Sequence, residues 1–589
     1  MADTTVYDIV FAGAGTTACL VAGRLIKADP SLKILLIENG PHTQEDLAHV
    51  QPARYPAHLA PDSKTVRFVE GKPSAALGGR SIVVPAGQCV GGGSSVNFTM
   101  YTRAAASDYD DWETKYNNKG WGSKELIPLL KKTETYQVQP DLDSHGYEGP
   151  IKVSYGGKLS NIGEDYLEVA SNYDPTRKAT HDVNGIFTCN EYGRWPKWID
   201  EKTGKRSDTA HHFLYNNIDN QNQKAITGCA VKRVIFEGNR AVGVEYVKNP
   251  AFHPGASPEE VFSVRAGRLV SGIGATPLLE KLGVHTVVDL PGVGARYQDH
   301  YGVFPAYFAS DESDTLDWIV RSDPDELKKW TEQWLKDGSG LMATNGLDAG
   351  IKIRPNAEEL ADIGPAFQKR WNEFFANAPD KPVLWLGLLS GLFGDHTIAP
   401  PRKFFAFVSF IMHPSSTGYV HISSGTDPLA PPDFDPGYLT APDDAELLAW
   451  AWKYTREFAR RMKCYRGAYS VIQPKIPASS EAACKEDDLP VDIDAPKLKY
   501  TEEDEEAIRK FVRDEVHTTW HSLGTCPMKP RSQNGVVDSN LNVYGVKGLK
   551  VADMSIAPGN VASNTYSTAL VIGEKAAVII AEELGIKGV

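Results

Sequence analysis

Apolar and polar positions along this 589-residue chain fall into two regimes. Near the start, positions 6–12 read Val-Tyr-Asp-Ile-Val-Phe-Ala and positions 34–37 read Ile-Leu-Leu-Ile. Short, nearly continuous apolar runs predict strands covered on both faces, as in a parallel sheet. Residues 19–28 predict a helix between them, so the chain opens on a strand–helix–strand unit. Residues 224–266 alternate instead, as in Val231-Lys-Arg-Val-Ile-Phe and Arg240-Ala-Val-Gly-Val-Glu-Tyr. That alternation predicts antiparallel strands turning at Glu237-Gly-Asn239. Later, 404–412 and 418–423 predict strands, and a further strand is expected to end at Asp553. Residues 443–461, 502–515 and 566–584 predict helices, the second of them acidic. Residues 155–205 read as a mostly irregular and helical excursion, and no internal repeat is present.

The junction of the first strand and helix carries the first chemistry. Gly13-Ala-Gly15-Thr-Thr-Ala18 places glycines where backbone can approach a pyrophosphate seated on a helix N-terminus. Glu38 ends the second strand, where the ribose-binding acid of a dinucleotide fingerprint is expected. The motif alone does not separate FAD from NAD.

Composition narrows the classes. Hydrophobic residues make up 41% and charged residues 23%, the balance of a folded globular chain. A net charge of −13 with no basic patch argues against a nucleic-acid partner. No apolar run approaches the ~20 residues of a membrane helix, so no membrane partner is expected. The first residues lack a basic and then apolar leader, so no secretory signal is expected. Seven cysteines are scattered without CxxC or zinc spacing, which predicts reduced thiols and no metal.

Residues 84–103 hold a second glycine-rich loop, Val90-Gly-Gly-Gly-Ser-Ser-Val-Asn97, suited to close backbone approach to a large ligand. Near the C-terminus stands Trp520-His-Ser-Leu-Gly-Thr525, and Asn564 follows about forty residues later. A histidine titrates near operating pH and can serve as a base. Read alone, His521 is more often a hydrogen-bonded core histidine and Asn564 commonly a helix cap. Together, these stretches resemble the glucose–methanol–choline oxidoreductase family, and within it the short-chain alcohol oxidase branch. Asn97-Phe-Thr-Met-Tyr-Thr-Arg103, Lys132-Thr-Glu-Thr-Tyr-Gln137, Gly394-Asp-His-Thr397 and Ala430-Pro-Pro-Asp-Phe-Asp-Pro436 extend the likeness from about residue 5 to about residue 585.

The resemblance implies an α/β (α+β) fold: a Rossmann-like FAD-binding domain and a substrate domain with a large antiparallel sheet. It assigns 1–155, 206–300 and 506–589 to the first, and 156–205 and 301–505 to the second. It implies FAD, held at Gly13, Gly15, Thr16, Thr17 and Glu38, at Val90, Gly92, Gly93, Ser94, Asn97 and Met100, at Val231, and at Trp520, Asp553, Asn564 and Thr565. His521 would take the proton of a small primary alcohol, with Asn564 holding the same oxygen. A hydride would pass to flavin N5, and O2 would become H2O2. A dehydrogenase with another acceptor, an oxidase of larger alcohols, a lyase and an inactive homologue are the alternatives. Phe98 beside Trp520 would narrow the pocket, although Phe98 also reads as packing under its loop.

The chain departs from the family pattern at several points. Gln88 is unusual two positions before Val90. Arg268-Leu-Val270 runs straight into Ser271-Gly-Ile-Gly274, where the family has an additional turn and helix. Segments near 171–182 and before Asp492 are also short. The end, Lys587-Gly-Val589, is unlike a peroxisomal tripeptide, so a cytoplasmic location is expected, with peroxisomal as the alternative. A homo-oligomer is expected, smaller than the octamer of that branch.

Overall fold

The computed structural model describes residues 5–217, 219–257, 259–270 and 275–589. Residues 271–274, one of the places where the sequence departs from the pattern it resembles, lie outside the described residues.

Two sheets organise the chain. The first has six strands in the order Gln223–Ile226, Ile34–Ile37, Val6–Ala12, Val261–Val270, Arg240–Lys248, Cys229–Glu237. The first four run parallel and the last two turn antiparallel. Ile34–Ile37 is buried at all four positions, because a strand in the middle of a parallel sheet has both faces covered. The helices Thr16–Ala28 and Tyr566–Leu584 pack against each other and share this core. The hairpin signal is present as read: Arg240 pairs Glu237 across Gly238, whose φ of 61° is the left-handed turn geometry that glycine adopts readily.

The second sheet is antiparallel, in the order Tyr465–Ala468, Ala306–Ala309, Phe404–Ile411, Leu384–Leu389, Leu347–Ile353, Tyr192–Arg194. Register decides what each face meets. Trp385 lies opposite Phe410 and Gly387 opposite Val408, so one face presents Trp385, Leu389, Val408 and Phe410 to an internal cavity. On the other face Leu384, Leu386, Phe405 and Phe407 share a core with Leu447, Leu448 and Trp452 of the helix Pro442–Ala459. The excursion before residue 205 supplies the helix Asn161–Tyr173 and the edge strand Tyr192–Arg194. Ile508, Phe511 and Val512 of the helix Glu502–Glu515 join this second core, past the boundary suggested at 506.

Some expectations need correction. No strand ends at Asp553; Lys550 makes an isolated bridge to Asn542, and Asp553 caps the short 3-10 turn Met554–Ile556. An aspartate side chain that accepts the Ser555 N–H favours that turn over an extended backbone. The strand expected over 418–423 is only Tyr419–His421, paired with Asp433–Asp435 in a two-stranded ribbon outside the large sheet. The first helix begins at Thr16, three residues before the expected 19. All seven cysteines are free thiols. Among the described residues, no helix is long and apolar enough to cross a membrane, and no cluster of metal-ligating side chains occurs.

Candidate active site

A cavity of about 700 Å3 runs between the two sheets. Its lining includes Glu38, just past the second parallel strand, and His521 and Asn564. The first glycine turn also lines it. An added Cβ at Gly13 or Gly15 would meet nothing within 4 Å, because both face the open cavity. The N-terminus of Thr16–Ala28 carries no side-chain cap, so its N–H groups are left for a ligand. Glu38 ties the turn to its strand. Its Oε2 accepts from Ala14 N at 2.8 Å and its Oε1 from Gly40 N at 2.9 Å, while burial raises the carboxyl pKa.

The second glycine loop folds down on the first. A Cβ at Gly92 would stand 2.9 Å from Gly15 Cα, and Gly92 has φ 54°, so a side chain is excluded twice over. Thr16 Oγ1 donates to Gly91 O at 3.0 Å and accepts from Ser94 N at 3.2 Å, knitting the loops together. Asn97 Oδ1 accepts from Arg206 at 2.7 Å and from Thr99 N at 2.9 Å, holding Asn97 at the wall.

The structure brings most of the sequence-derived residues to this one cavity: Gly13, Gly15, Thr16, Thr17 and Glu38; then Gly93, Ser94, Asn97, Phe98 and Met100; then Trp520, His521, Asp553, Asn564 and Thr565. Three lie behind its lining. Val90 is fully buried, with its N–H bonded to Pro41 O. Gly92 backs the loop against Gly15. Val231 lies in Cys229–Glu237, the antiparallel edge strand of the first sheet.

Around His521, pairing of His517–Thr518 with Tyr301–Val303 clamps two distant segments together. His521 Nε2 lies 3.1 Å from Asn564 Nδ2, and His521 Nδ1 lies 2.8 Å from Thr519 Oγ1 and 3.0 Å from His300 Nδ1. Buried Asp299 holds the backbone beneath: its Oδ1 accepts His521 N at 2.8 Å, and its Oδ2 accepts the hydroxyls of Thr518, Tyr297 and Tyr438. Burial raises Asp299 to about 6. It drives His521 well below its ordinary 6.5, an effect that neighbouring His300 reinforces, and lowers His300 itself to about 4. Both imidazoles are therefore neutral at pH 7, and His521 is free to accept a proton.

Aromatic rings line this part of the cavity. Phe98 lies 3.9 Å from Tyr55 and 4.6 Å from Trp520, ring centre to ring centre, and Phe393 lies 5.7 Å from Trp520. Trp520 has φ 63°, a costly conformation for a bulky residue, held here by its N–H bond to Thr518 Oγ1. Asp299, His300, Thr102, Thr519, Tyr55 and Phe393 were not found from sequence. The only signal available was that Asp299 and His300 follow a glycine-punctuated stretch, which is too common to single them out.

A mostly parallel sheet with a glycine turn at its strand end, a ligand-sized cavity beneath an antiparallel roof, and a buried histidine beside a half-buried asparagine fit a dinucleotide-dependent enzyme. The comparisons agree. The N-terminal profile of the GMC oxidoreductases matches residues 7–302 and the C-terminal profile matches 414–573. The alcohol oxidases of Candida boidinii and Pichia angusta are each 40% identical over 643 aligned positions, covering 99% of this chain and 96% of theirs. Those 643 positions exceed the 589 residues here, so these relatives carry segments that this chain lacks. An FAD-dependent oxidoreductase from Chaetomium thermophilum shares the fold at 23% identity, with a TM-score of 0.78 over 98% of this chain and 100% of its own. The chain belongs to the GMC oxidoreductase family and is an FAD-dependent enzyme. Its residues fit that cofactor, since the side-chain-free cradle at Gly13 and Gly15, the uncapped helix start and the buried Glu38 all open on one cavity.

Proposed function

We propose that the protein oxidises small primary alcohols to aldehydes, with O2 as the final acceptor and H2O2 as the second product. The observation that carries this reading is the neutral, buried His521 paired with Asn564 in the lining of the cavity. The 40%-identical alcohol oxidases support it over nearly the whole chain.

Gly13, Gly15 and Thr16 would hold the cofactor's pyrophosphate, Glu38 its ribose, and Asn97 and Met100 its ring system. Bound there, FAD supplies the two-electron acceptor that takes the α-hydrogen with its electron pair and passes both electrons to O2. The chain's own work is on the hydroxyl group. Asn564 Nδ2 donates to the alcohol oxygen, while His521 Nε2 takes the proton. The alkoxide so formed releases its α-hydrogen far more readily than the alcohol. Orienting the carbon is a proximity effect of the surrounding cavity. The rings of Tyr55, Phe98, Phe393 and Trp520 cluster beside His521 and Asn564, which supports a small, apolar substituent on the substrate.

Adding methanol to the oxidised protein without air tests the reading. Visible flavin bands that bleach, then return with H2O2 on readmission of air, are the expected result. Bands that persist overturn the assignment of short-chain alcohols.

The acid limb is a second expected outcome. Burial lowers the pKa of His521, so its unprotonated form persists to lower pH than in an exposed histidine. His300 and Asp299 are the titratable groups against it. The rate constant for reduction by methanol should stay level as pH falls through 6.5, and decline only below that. A stopped-flow profile with its midpoint at 6.5 or above would contradict the burial argument.

A further inference from the structure

Resting on His521 as the base, we infer that Thr102 and Thr519 are positioning residues that fix the His521 tautomer and the Asn564 amide orientation, so that lone pair and donor face one point in the cavity.

The inference follows from counting protons along a chain of contacts. Thr102 Oγ1 accepts from Asn564 N at 2.6 Å, which leaves its own proton for Asn564 Oδ1 at 2.9 Å. The amide oxygen is thereby pinned on Thr102, and Nδ2 points at His521 Nε2, 3.1 Å away. An amide N–H needs a lone pair there, so Nε2 carries no proton and Nδ1 carries it. The other end of the ring requires the same. Thr519 Oγ1 lies 2.9 Å from His300 O, which can only accept, so the hydroxyl proton goes to that carbonyl. Its oxygen is then turned to accept from His521 Nδ1 at 2.8 Å.

Every donor in the series Thr102, Asn564, His521, Thr519, His300 C=O points the same way. Reversing the series leaves the Thr102 proton without its acceptor and sets the Thr519 oxygen against a carbonyl. The same assignment asks His300 Nδ1, 3.0 Å from His521 Nδ1, to offer a lone pair, which puts the His300 proton on Nε2, a buried atom with no hydrogen-bond partner. The anchoring ends of the series are shielded, since Thr102 and His300 are 0% exposed and Thr519 6%, while His521, 8% exposed, and half-buried Asn564 meet the cavity.

The arrangement serves both halves of the proton transfer. An alcohol hydroxyl entering between His521 and Asn564 takes the place of the amide N–H on the Nε2 lone pair, and Asn564 Nδ2, released from that contact, donates to the same oxygen. After transfer, the imidazolium keeps its Nδ1–H on the oxygen of Thr519, whose dipole is already aimed away toward His300 O. On the Nδ1 side the groups are already oriented for the developing charge, which is the condition under which they favour a transition state.

The test uses the FAD-loaded protein, 15N-labelled at its histidines, with His521 assigned by its loss in His521→Gln. The unmodified protein should show His521 as a single Nδ1–H tautomer; an Nε2–H tautomer overturns the inference without any variant. Thr519→Val should give a mixture of tautomers and a reduction rate constant roughly 10- to 100-fold lower, part of the 10²–10⁴ that a positioned base contributes. KM for methanol should change little, and Thr519→Ser should restore the rate to within about threefold, as expected when the hydroxyl is what counts. Thr102→Val should leave the His521 tautomer mixed through the freed amide. A Thr519→Val protein with one Nδ1–H tautomer and an unchanged rate sinks the inference. If His521→Gln is itself as fast as the unmodified protein, it is the base assignment that fails.

Discussion

Replacing His521 with glutamine should slow reduction of the flavin by methanol by ~10²–10⁴-fold, the usual worth of a positioned base. The fold should survive. The main-chain N–H of residue 521 stays on Asp299 Oδ1, and glutamine fills a similar volume. The change removes a group whose lone pair is buried and neutral, and the other histidines nearby are badly placed to replace it. His300 lies on the Nδ1 side of the ring, away from Asn564, and is fully buried. Anaerobic stopped-flow on flavin-replete protein measures this effect directly. A rate within a few-fold of the unmodified protein would place the base elsewhere.

The second large effect concerns the cofactor. Gly15→Ala should yield a folded protein that purifies with at least ~10-fold less bound flavin, a loss of ~1.4 kcal/mol or more in binding. The argument is geometric. Gly15 has φ −73°, open to any residue, and an added Cβ there touches no protein atom within 4 Å. The methyl group would stand in the cavity, where backbone must meet the pyrophosphate. Gly40 is the contrast. A Cβ there would lie 1.7 Å from Gln88 O, so Gly40→Ala should fail in folding before any question of flavin arises. The ratio of flavin to protein, read with the thermal melt of the flavin-free form, separates these outcomes. A flavin-replete Gly15→Ala protein would show that the cradle does not bear on the cofactor.

The arrangement around His521 explains why the chain tolerates costly features. Trp520 sits in a left-handed backbone conformation, and Asp299 keeps a carboxyl in the interior with four donors around it. Each is unfavourable in isolation. Together they carry His521 to the wall of the cavity and present its ring edge-on to Asn564.

Local pattern was enough for much of the frame. Continuous apolar runs at 6–12 and 34–37, with glycines between them, specified the buried parallel strands and the turn that opens on the ligand. Alternation around Gly238 specified a hairpin, and periodicity specified the helices Glu502–Glu515 and Tyr566–Leu584. These features are legible because burial on one face or both imposes a short period on nearby residues. Where a polar side chain competed for the backbone, as Asp553 does, the pattern misled.

His521 and Asn564 became candidates through the likeness of their surroundings to a family, not through spacing. What surrounds them belongs to the tertiary structure alone. Thr102 is 462 positions from Asn564, Asp299 is 222 from His521, and the two histidine rings come from segments 221 apart. No period in the chain relates such residues. The strand pairing of Tyr301–Val303 with His517–Thr518 brings them together, and the exclusion of water then makes each hydrogen bond choose its direction. Sequence determined which segments become strands and helices, because that is settled by burial within a few residues. Which lone pair faces the cavity was decided only once distant polar groups had to satisfy one another in a dry interior.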